Sequence, residues 1–305
     1  MATYAAEPAA PAGGSGSTSP AESRQRAPRR FVILRALFRS RRSKVLALLL
    51  VVLIVLALLA PWIAPYGENE QNLFARLQGP SAEHLLGTDR FGRDILTLLL
   101  YGLRLSLAAG AVAVSVAVVL GVPTGMLAGW RKGWFASVAN TVADVLLSIP
   151  GVIFALSVIA ILGPGLVQAM VAVGLLLSPR FFRIARATTQ SVRERSYMEA
   201  ARAAGCSTPR MLVRHALPNS MPPLLVQATF GFGFAVVVEA GLSFLGLGTQ
   251  PPASSLGTMI SSAFTSIGQA AWPIFPPSIL LGIVIYLVAS LGDEMQDSLR
   301  TGGGI

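Results

Sequence analysis

The feature that most constrains this chain is a series of long apolar blocks along its 305 residues. The first, residues 45–64, contains no charged side chain, and about 20 apolar residues in a helix cross the roughly 30 Å hydrocarbon core of a bilayer. Hydrophobic residues make up 53% of the chain, charged residues make up 12%, and the mean hydropathy is +0.64. A soluble domain is rarely so apolar, and the sequence therefore predicts an all-α membrane protein.

The apolar blocks predict six transmembrane helices. We expect an anchor helix at 45–64, an external segment at 65–102, a membrane core at 103–292 and a short tail at 293–305. Inside the core, a basic loop at 187–219 separates the fourth helix from the fifth. The predicted crossings after the anchor are Leu105–Ala128, Ser137–Leu162, Leu166–Leu177 with an extension towards Ile184, Met221–Leu245 and Ile274–Leu291.

The distribution of charge predicts how these helices are oriented. The net charge of +10 comes from 24 basic and 14 acidic residues, and nine of the basic residues lie between 24 and 44, just before the first apolar block. Lys and Arg next to membrane helices favour the cytoplasmic side. We therefore expect both termini of this multi-pass membrane protein in the cytoplasm. Basic residues placed in this way indicate contact with membrane lipid rather than with nucleic acid.

The first 44 residues are predicted to be a disordered, basic segment. They are rich in Ala, Pro, Gly and Ser up to about Ala27, a composition that buries too little apolar surface to fold. The apolar block that follows lacks a small-residue cleavage site, so we expect it to remain as an anchor rather than to be removed as a signal peptide.

Several kinds of catalytic site are unsupported by the sequence. Cys206 is the single cysteine, and the two histidines, His84 and His215, are far apart, so neither an intrachain disulfide nor a histidine-based metal site is expected. The chain has no Gly-x-x-x-x-Gly-Lys-Ser/Thr phosphate loop. We expect it not to be an enzyme and to bind no cofactor of its own.

The basic loop contains a patterned stretch at residues 197–219, which we name the elbow. Residues 199–204 are good helix formers, and Gly205 follows where a helix often ends in a left-handed conformation. Pro209 suits the first turn of a second helix after a cap at Ser207 or Thr208, and Pro218 is expected to interrupt the chain again. The small side chains beside Glu199 could seat in a groove of a partner, although a surface helix that only covers the membrane domain would have the same pattern.

The spacing of the elbow resembles a known motif. Glu199-Ala200-Ala201, three residues, Gly205, nine residues and then His215-x-Leu217-Pro218 is similar to the "EAA" loop of ABC-importer permeases, in which His215 stands where Ile is more usual. The resemblance implies a coupling helix that docks on an ATPase subunit. The docking residues that it implies are Glu199, Ala200, Ala201, Gly205, Leu217 and Pro218.

Two further stretches narrow the resemblance. Residues 84–107 and 239–252 resemble C-type subunits of dipeptide and oligopeptide permeases. This family implies a Type I importer fold in the bacterial plasma membrane and a homologous permease as heterodimer partner. It also implies two ATP-binding subunits that carry ATP and Mg, and an external substrate-binding protein for a peptide substrate. Nickel, glutathione and haem are alternative substrates in related systems. A proton-coupled secondary transporter and a membrane scaffold without transport are alternatives from other classes.

Two acidic residues lie inside predicted membrane helices. A charge at mid-membrane costs at least about 2.5 kcal/mol on insertion scales, so Asp144 and Glu239 need a partner, water or a proton. One interpretation is that they line or gate a substrate path. The alternative is that each lies near a helix end or accepts hydrogen bonds from a neighbouring helix.

Overall fold

The computed structural model describes residues 41–131 and 133–303, with the backbone alone for 300–303. Within these residues the chain is almost entirely helical, and its β structure is one isolated bridge between Thr88 and Asp94. The predicted all-α class is confirmed. The helices are α1 (Arg41–Ile63), α2 (Ile95–Trp130), α3 (Trp134–Ser148), α4 (Gly151–Leu162), α5 (Leu166–Arg193), α6 (Ser196–Ala203), α7 (Thr208–Met211), α8 (Leu217–Phe244), α9 (Leu256–Thr265) and α10 (Phe275–Gly303).

Five helical segments are long and apolar enough to cross a membrane. They contain α1, α2, α5, the continuous run from α7 to α8, and α10, and a sixth crossing is present if α3 and α4 count as one bent span. In α1, large apolar side chains such as Leu48 and Leu58 point outward, with 62% and 59% of their surface exposed. An outward apolar surface of this kind belongs in lipid.

Helices α2 and α5 pack against each other at the centre of the molecule. Gly121, Gly125 and Gly129 of α2 lie against the backbone of α5, so that an added Cβ at each would collide with a carbonyl oxygen of the other helix. Glycines at such positions let two helix backbones approach closely. Phe181 and Leu177 of α5 are fully buried in the resulting core, and α8 packs on the same pair of helices.

The third predicted crossing, Ser137–Leu162, is not one helix. Helices α3 and α4 meet at an angle of 97° on either side of Ile149 and Pro150. Proline has no N–H for the helix ladder and disfavours helical conformation in the residue before it. Ile149 accordingly has an extended conformation, with φ −80° and ψ 128°.

Proline has the opposite outcome in the elbow, where we expected Pro218 to interrupt the chain. The helical run from Thr208 to Phe244 continues through it by way of a π-helical turn at Leu212–Ala216. A wider turn relieves the crowding between a proline ring and the preceding turn. The side-chain amide of Asn219 also donates to the His215 backbone carbonyl, at 2.7 Å, and satisfies this acceptor at the end of the turn.

Other helix ends differ from the predicted bounds. Residues 41–44, assigned to the N-terminal segment, belong to α1, whereas the prediction of disorder before them lies outside the described residues. Helix α2 begins ten residues before the predicted Leu105, α5 continues to Arg193, and α10 includes the predicted polar tail up to Gly303. Arg, Lys, Glu and Gln are good helix formers, and a change from apolar to polar composition therefore need not end a helix.

The segments between the membrane helices at one end of the molecule form a single unit, which we name the cap, residues 64–94 and 245–274. Its two parts are joined by a hydrogen bond from Arg90 to Thr265 at 2.7 Å and by one from the Trp272 indole to the Leu86 carbonyl at 2.8 Å. The second part lies between two predicted crossings and contains α9, which begins with a capping box at Ser255.

Candidate functional site

Helix α6 carries three of the six predicted docking residues, and the sequence explains where the helix begins and ends. It spans Ser196–Ala203, and the chain leaves it at Gly205 with φ +78°. The Cys206 amide donates to the Ala201 carbonyl at 3.0 Å and the Gly205 amide donates to the Arg202 carbonyl at 2.9 Å. These bonds satisfy carbonyls at the end of the helix, as in a glycine C-cap.

One face of α6 is open. Glu199, Ala200 and Gly205 are exposed, and beyond the adjacent residues no atom lies within 4 Å of the place where a Cβ would stand on Gly205. Among the described residues no ion pair includes Glu199. The result is a short helix that presents small side chains and one carboxylate to its surroundings.

The other three predicted docking residues are less exposed. Ala201 is half-buried and faces the core, and Leu217 and Pro218, both half-buried, lie in the first turn of α8. Glu199, Ala200 and Gly205 are therefore exposed at α6 and its C-terminal end, whereas Ala201, Leu217 and Pro218 are partly covered by the rest of the chain. Whether any of these residues contacts a partner stays a prediction.

Two contacts that the sequence analysis missed, one made by Met198 and one made by Arg202, hold α6 against the rest of the protein. Met198 is fully buried and packs in the same core as Met211 of α7. The Arg202 guanidinium lies over the Trp130 ring, 4.9 Å from its centroid, and Arg193 donates to the Trp130 carbonyl at 2.8 Å. The sequence does contain a signal for the burial of Met198, because it is a large apolar residue beside a run of small helix formers. The contact between Arg202 and Trp130 could not be predicted, because the two residues are far apart in the sequence.

Asp144 lies on α3, beside the bend. Its carboxylate pairs with Arg183 of α5 at 2.7 Å, and both side chains are more than half exposed, at 63% and 58%. One turn earlier, Asn140 accepts a hydrogen bond from Arg186 at 2.6 Å. Polar side chains therefore join α3, the first half of the bent span, to α5. The Asp144 and Arg183 side chains remain largely exposed.

Glu239 has the opposite environment, since it is fully buried in α8. Its carboxylate accepts hydrogen bonds from Ser106 of α2 at 3.0 Å, from Ser243 at 2.7 Å and from Thr249 of the cap at 3.4 Å. Ser106 in turn accepts from the Leu256 amide at the start of α9, at 3.4 Å. This geometry favours the interpretation in which Glu239 accepts hydrogen bonds from neighbouring elements.

Comparison with protein families gives the chain its identity. Residues 121–300 match the model of the binding-protein-dependent transport system inner membrane component, and residues 32–80 match the N-terminal transmembrane domain of oligopeptide transport permease C. The first match alone covers more than half of the sequence. The chain belongs to the family of binding-protein-dependent transport system inner membrane components.

Curated members of this transport family are similar over most of their length. A dipeptide transport system permease protein of Escherichia coli is 40% identical over 269 residues, which is 86% of this chain and 90% of the relative. The corresponding protein of Alkalihalophilus pseudofirmus is 38% identical over 81% of each chain. A putative peptide transport system permease protein of Brucella suis is 38% identical over 87% of this chain and 89% of its own length.

A solved structure supports the fold of this inner membrane component. A chain of the MetNI methionine ABC transporter in an inward-facing conformation has a TM-score of 0.53 and 24% sequence identity, over 67% of this chain and 97% of the other. The importer permease fold predicted from the sequence is thus confirmed, as is a multi-pass location in the bacterial inner membrane.

Proposed function

We propose that this chain is the permease subunit of an ATP-driven importer of di- and oligopeptides. It forms half of the pore with a homologous permease, binds two ATP-binding subunits on one side and receives a substrate-binding protein on the other. The family match and the names of the dipeptide and peptide relatives support the proposal. ATP and Mg bind to the partner subunits, and this chain supplies the moving wall of the path.

The observation that carries the mechanical part of the proposal is the way α6 is mounted. Its open face carries small residues, and its other face is fixed by Met198 and by the contact of Arg202 with Trp130. A helix with small side chains can seat in a groove. Because Trp130 ends α2, a displacement of α6 is passed directly to a membrane helix, which is how rigid-body motion transmits work between subunits.

The same proposal assigns the two ends of the molecule to opposite sides of the membrane. The elbow carries Arg202, Arg210 and Arg214 within 13 residues, and the N-terminal segment is also basic. Both features favour the cytoplasm. The cap then faces outward, and we propose that it receives the loaded binding protein.

We further propose that Asp144 lines or gates the path, because its pair with Arg183 is open on one side. Two exposed charges in a membrane span need water or protein beside them rather than lipid. Glu239 is assigned the different task of holding the cap to the helices.

The identity of the substrate is the most specific part of the proposal. The relatives named for peptides favour a peptide over nickel, glutathione or haem. Mass spectrometry of ligand that co-purifies with the binding protein tests this assignment directly. A metal chelate or a porphyrin in place of a peptide would contradict it.

The docking role of α6 is tested by substitution of Gly205. In Gly205→Val a β-branched residue must adopt a positive φ, which such residues avoid, while the open space around the position rules out a clash as the cause. We expect ATP-driven peptide uptake in reconstituted vesicles to fall about tenfold or more, since a cost of roughly 1–2 kcal/mol in the helix end displaces the docking face.

Gly205→Asn is the matched control, because Asn tolerates the left-handed conformation. It should retain most of the uptake, and both variants should insert into the membrane normally. Unchanged uptake in the valine variant would contradict the docking role. Transport by the chain alone, driven by a proton gradient without ATP, would instead favour a secondary transporter.

A further inference from the structure

Three arginines lie at neighbouring positions on α5, between its elbow end and its middle. Arg186, Arg183 and Arg180 are three residues apart, and side chains at this spacing are neighbours on a helix surface. Arg186 donates to the side chain of Asn140 at 2.6 Å. Arg183 pairs with Asp144 at 2.7 Å. The two arginines nearer the elbow therefore have polar partners on α3, and Arg180 is the next of the series.

Arg180 lies half-way along its membrane helix. Helix α5 has 28 residues, about 42 Å at 1.5 Å per residue, which matches the roughly 40–45 Å of a bilayer with its headgroup layers. The ring beside Arg180, that of Phe234, is likewise about 15 Å along the helix from the end of α8 at Phe244. Arg180 is therefore deep in the span, too far from either headgroup layer for its side chain to snorkel there.

The Arg180 side chain is exposed, and its guanidinium lies over the Phe234 ring, 5.6 Å from the ring centroid. None of the ion pairs among the described residues includes Arg180. The acidic residues inside the spans are engaged elsewhere, since Asp144 pairs with Arg183 and Glu239 accepts from hydroxyl groups. A charge at this depth needs a partner or water rather than lipid beside it. Arg180 therefore offers a guanidinium to an anionic group from outside the chain.

The surroundings of Arg180 favour a carboxylate that is attached to an apolar group. A guanidinium that lies over a ring keeps N–H groups free at its edge, and their planar fork matches the two oxygens of a carboxylate. Beside it, Phe234 and Val237 present apolar surface, since they are 42% and 45% exposed. Lipid phosphates are absent from the middle of a bilayer, whereas a peptide in transit carries a carboxylate at its C-terminus next to a side chain.

We propose that Arg180 binds the C-terminal carboxylate of the peptide as it crosses the membrane, while Phe234 holds the guanidinium in place. This contact rests on the proposed function, since it requires that a peptide passes along α5. It adds to the path a residue that selects for a free carboxyl terminus. Selectivity then belongs to the permease as well as to the binding protein.

The test compares ATP-driven uptake of a dipeptide with uptake of its C-terminal amide, by the assembled transporter in vesicles supplied with its binding protein. The same binding protein serves every variant, so its own preference cancels when the ratio of acid to amide uptake is compared between variants. Arg180→Gln should lower this ratio about tenfold, because it removes charge-assisted hydrogen bonds to the carboxylate, whereas Arg180→Lys should retain most of it. Arg41→Gln makes the same change at the exposed start of α1 and should keep the ratio of the wild type.

An unchanged ratio in Arg180→Gln would overturn the proposal even if both peptides enter more slowly, because a purely structural role lowers both rates alike. Loss of the partner permease from the purified Arg180→Gln complex would also overturn it, since the carboxylate would then belong to that subunit. If the binding protein admits no amide, uptake of the free acid decides, and equal uptake by the glutamine and lysine variants would contradict a carboxylate contact. A wild-type complex that takes up neither peptide with ATP would instead contradict the proposed function, and this contact with it.

Discussion

The two ends of this molecule satisfy their polar groups in different ways. At the cap end, the Glu239 carboxylate is fully buried and accepts hydrogen bonds from Ser106, Ser243 and Thr249, which belong to α2, α8 and the cap. At the elbow end, Glu199 is exposed and pairs with no described residue. The same type of side chain therefore stabilises the fold at one end and is available to a partner at the other.

This difference teaches where substitutions should affect folding and where they should affect transport alone. A buried polar group that loses its partner costs the free energy of its desolvation, whereas an exposed one regains water. Changes at Glu239 should destabilise the chain even without any partner. Changes on the open face of α6 should leave the isolated chain intact and alter only its assembly.

The largest effect is expected for Glu239→Ala. It leaves the Ser106, Ser243 and Thr249 hydroxyl groups without their shared acceptor and opens a cavity, which together should lower the free energy of unfolding by about 3 kcal/mol. Glu239→Gln keeps an acceptor oxygen of the same shape and should lose much less. Thermal unfolding of the purified chain in detergent measures both, and equal losses in the two variants would show that the hydroxyl contacts contribute little.

An intermediate effect is expected for Met198→Ala, which should affect both the local stability of α6 and transport. Met198 is fully buried beneath the open face of α6, and loss of such a side chain costs about 2 kcal/mol or more. Because α6 is short, we expect local detachment of the helix, seen as faster amide hydrogen exchange over 196–204, together with reduced uptake.

Met221→Ala serves as the control for Met198→Ala, since Met221 is 45% exposed at the start of α8. It removes the same atoms and should change neither hydrogen exchange in α6 nor uptake. Slow exchange in α6 of the Met198 variant would show that Trp130 and Arg202 hold the helix without Met198.

The sequence predicts the elbow better than the cap because the two are built from contacts of different range. Helix α6 depends on neighbours in sequence: helix formers at 199–204, a glycine that ends the helix and a proline that starts the next one. The cap depends on pairs far apart in the chain, such as Arg90 with Thr265 and Trp272 with Leu86. Local propensities carry no information about which distant residues meet.

Proline shows the same limit within the helices. Pro150 breaks a helical span and Pro218 does not, although both lie within stretches whose other residues favour a helix. The outcome is decided by neighbouring groups: a π turn and the Asn219 side chain accommodate Pro218, whereas Ile149 becomes extended before Pro150. Asp144 and Glu239 are likewise alike in sequence, and only the packing of α5 and the cap distinguishes them.

The smallest effect on folding, and the sharpest test of the comparison, is expected for Glu199→Lys. Glu199 lies in the first turn of α6, where an acidic side chain interacts favourably with the helix dipole by about 0.3–1 kcal/mol, so the unfolding transition should move little. If the exposed carboxylate meets a basic groove on an ATPase subunit, the reversal of charge should weaken assembly of the complex, measured by co-purification of the ATPase subunits.

Glu83→Lys makes the same change at an exposed position of the cap and should leave assembly unaltered. Normal assembly of the Glu199 variant would remove the electrostatic part of the docking proposal, while loss of assembly in both variants would show that net charge, rather than the open face of α6, governs the association.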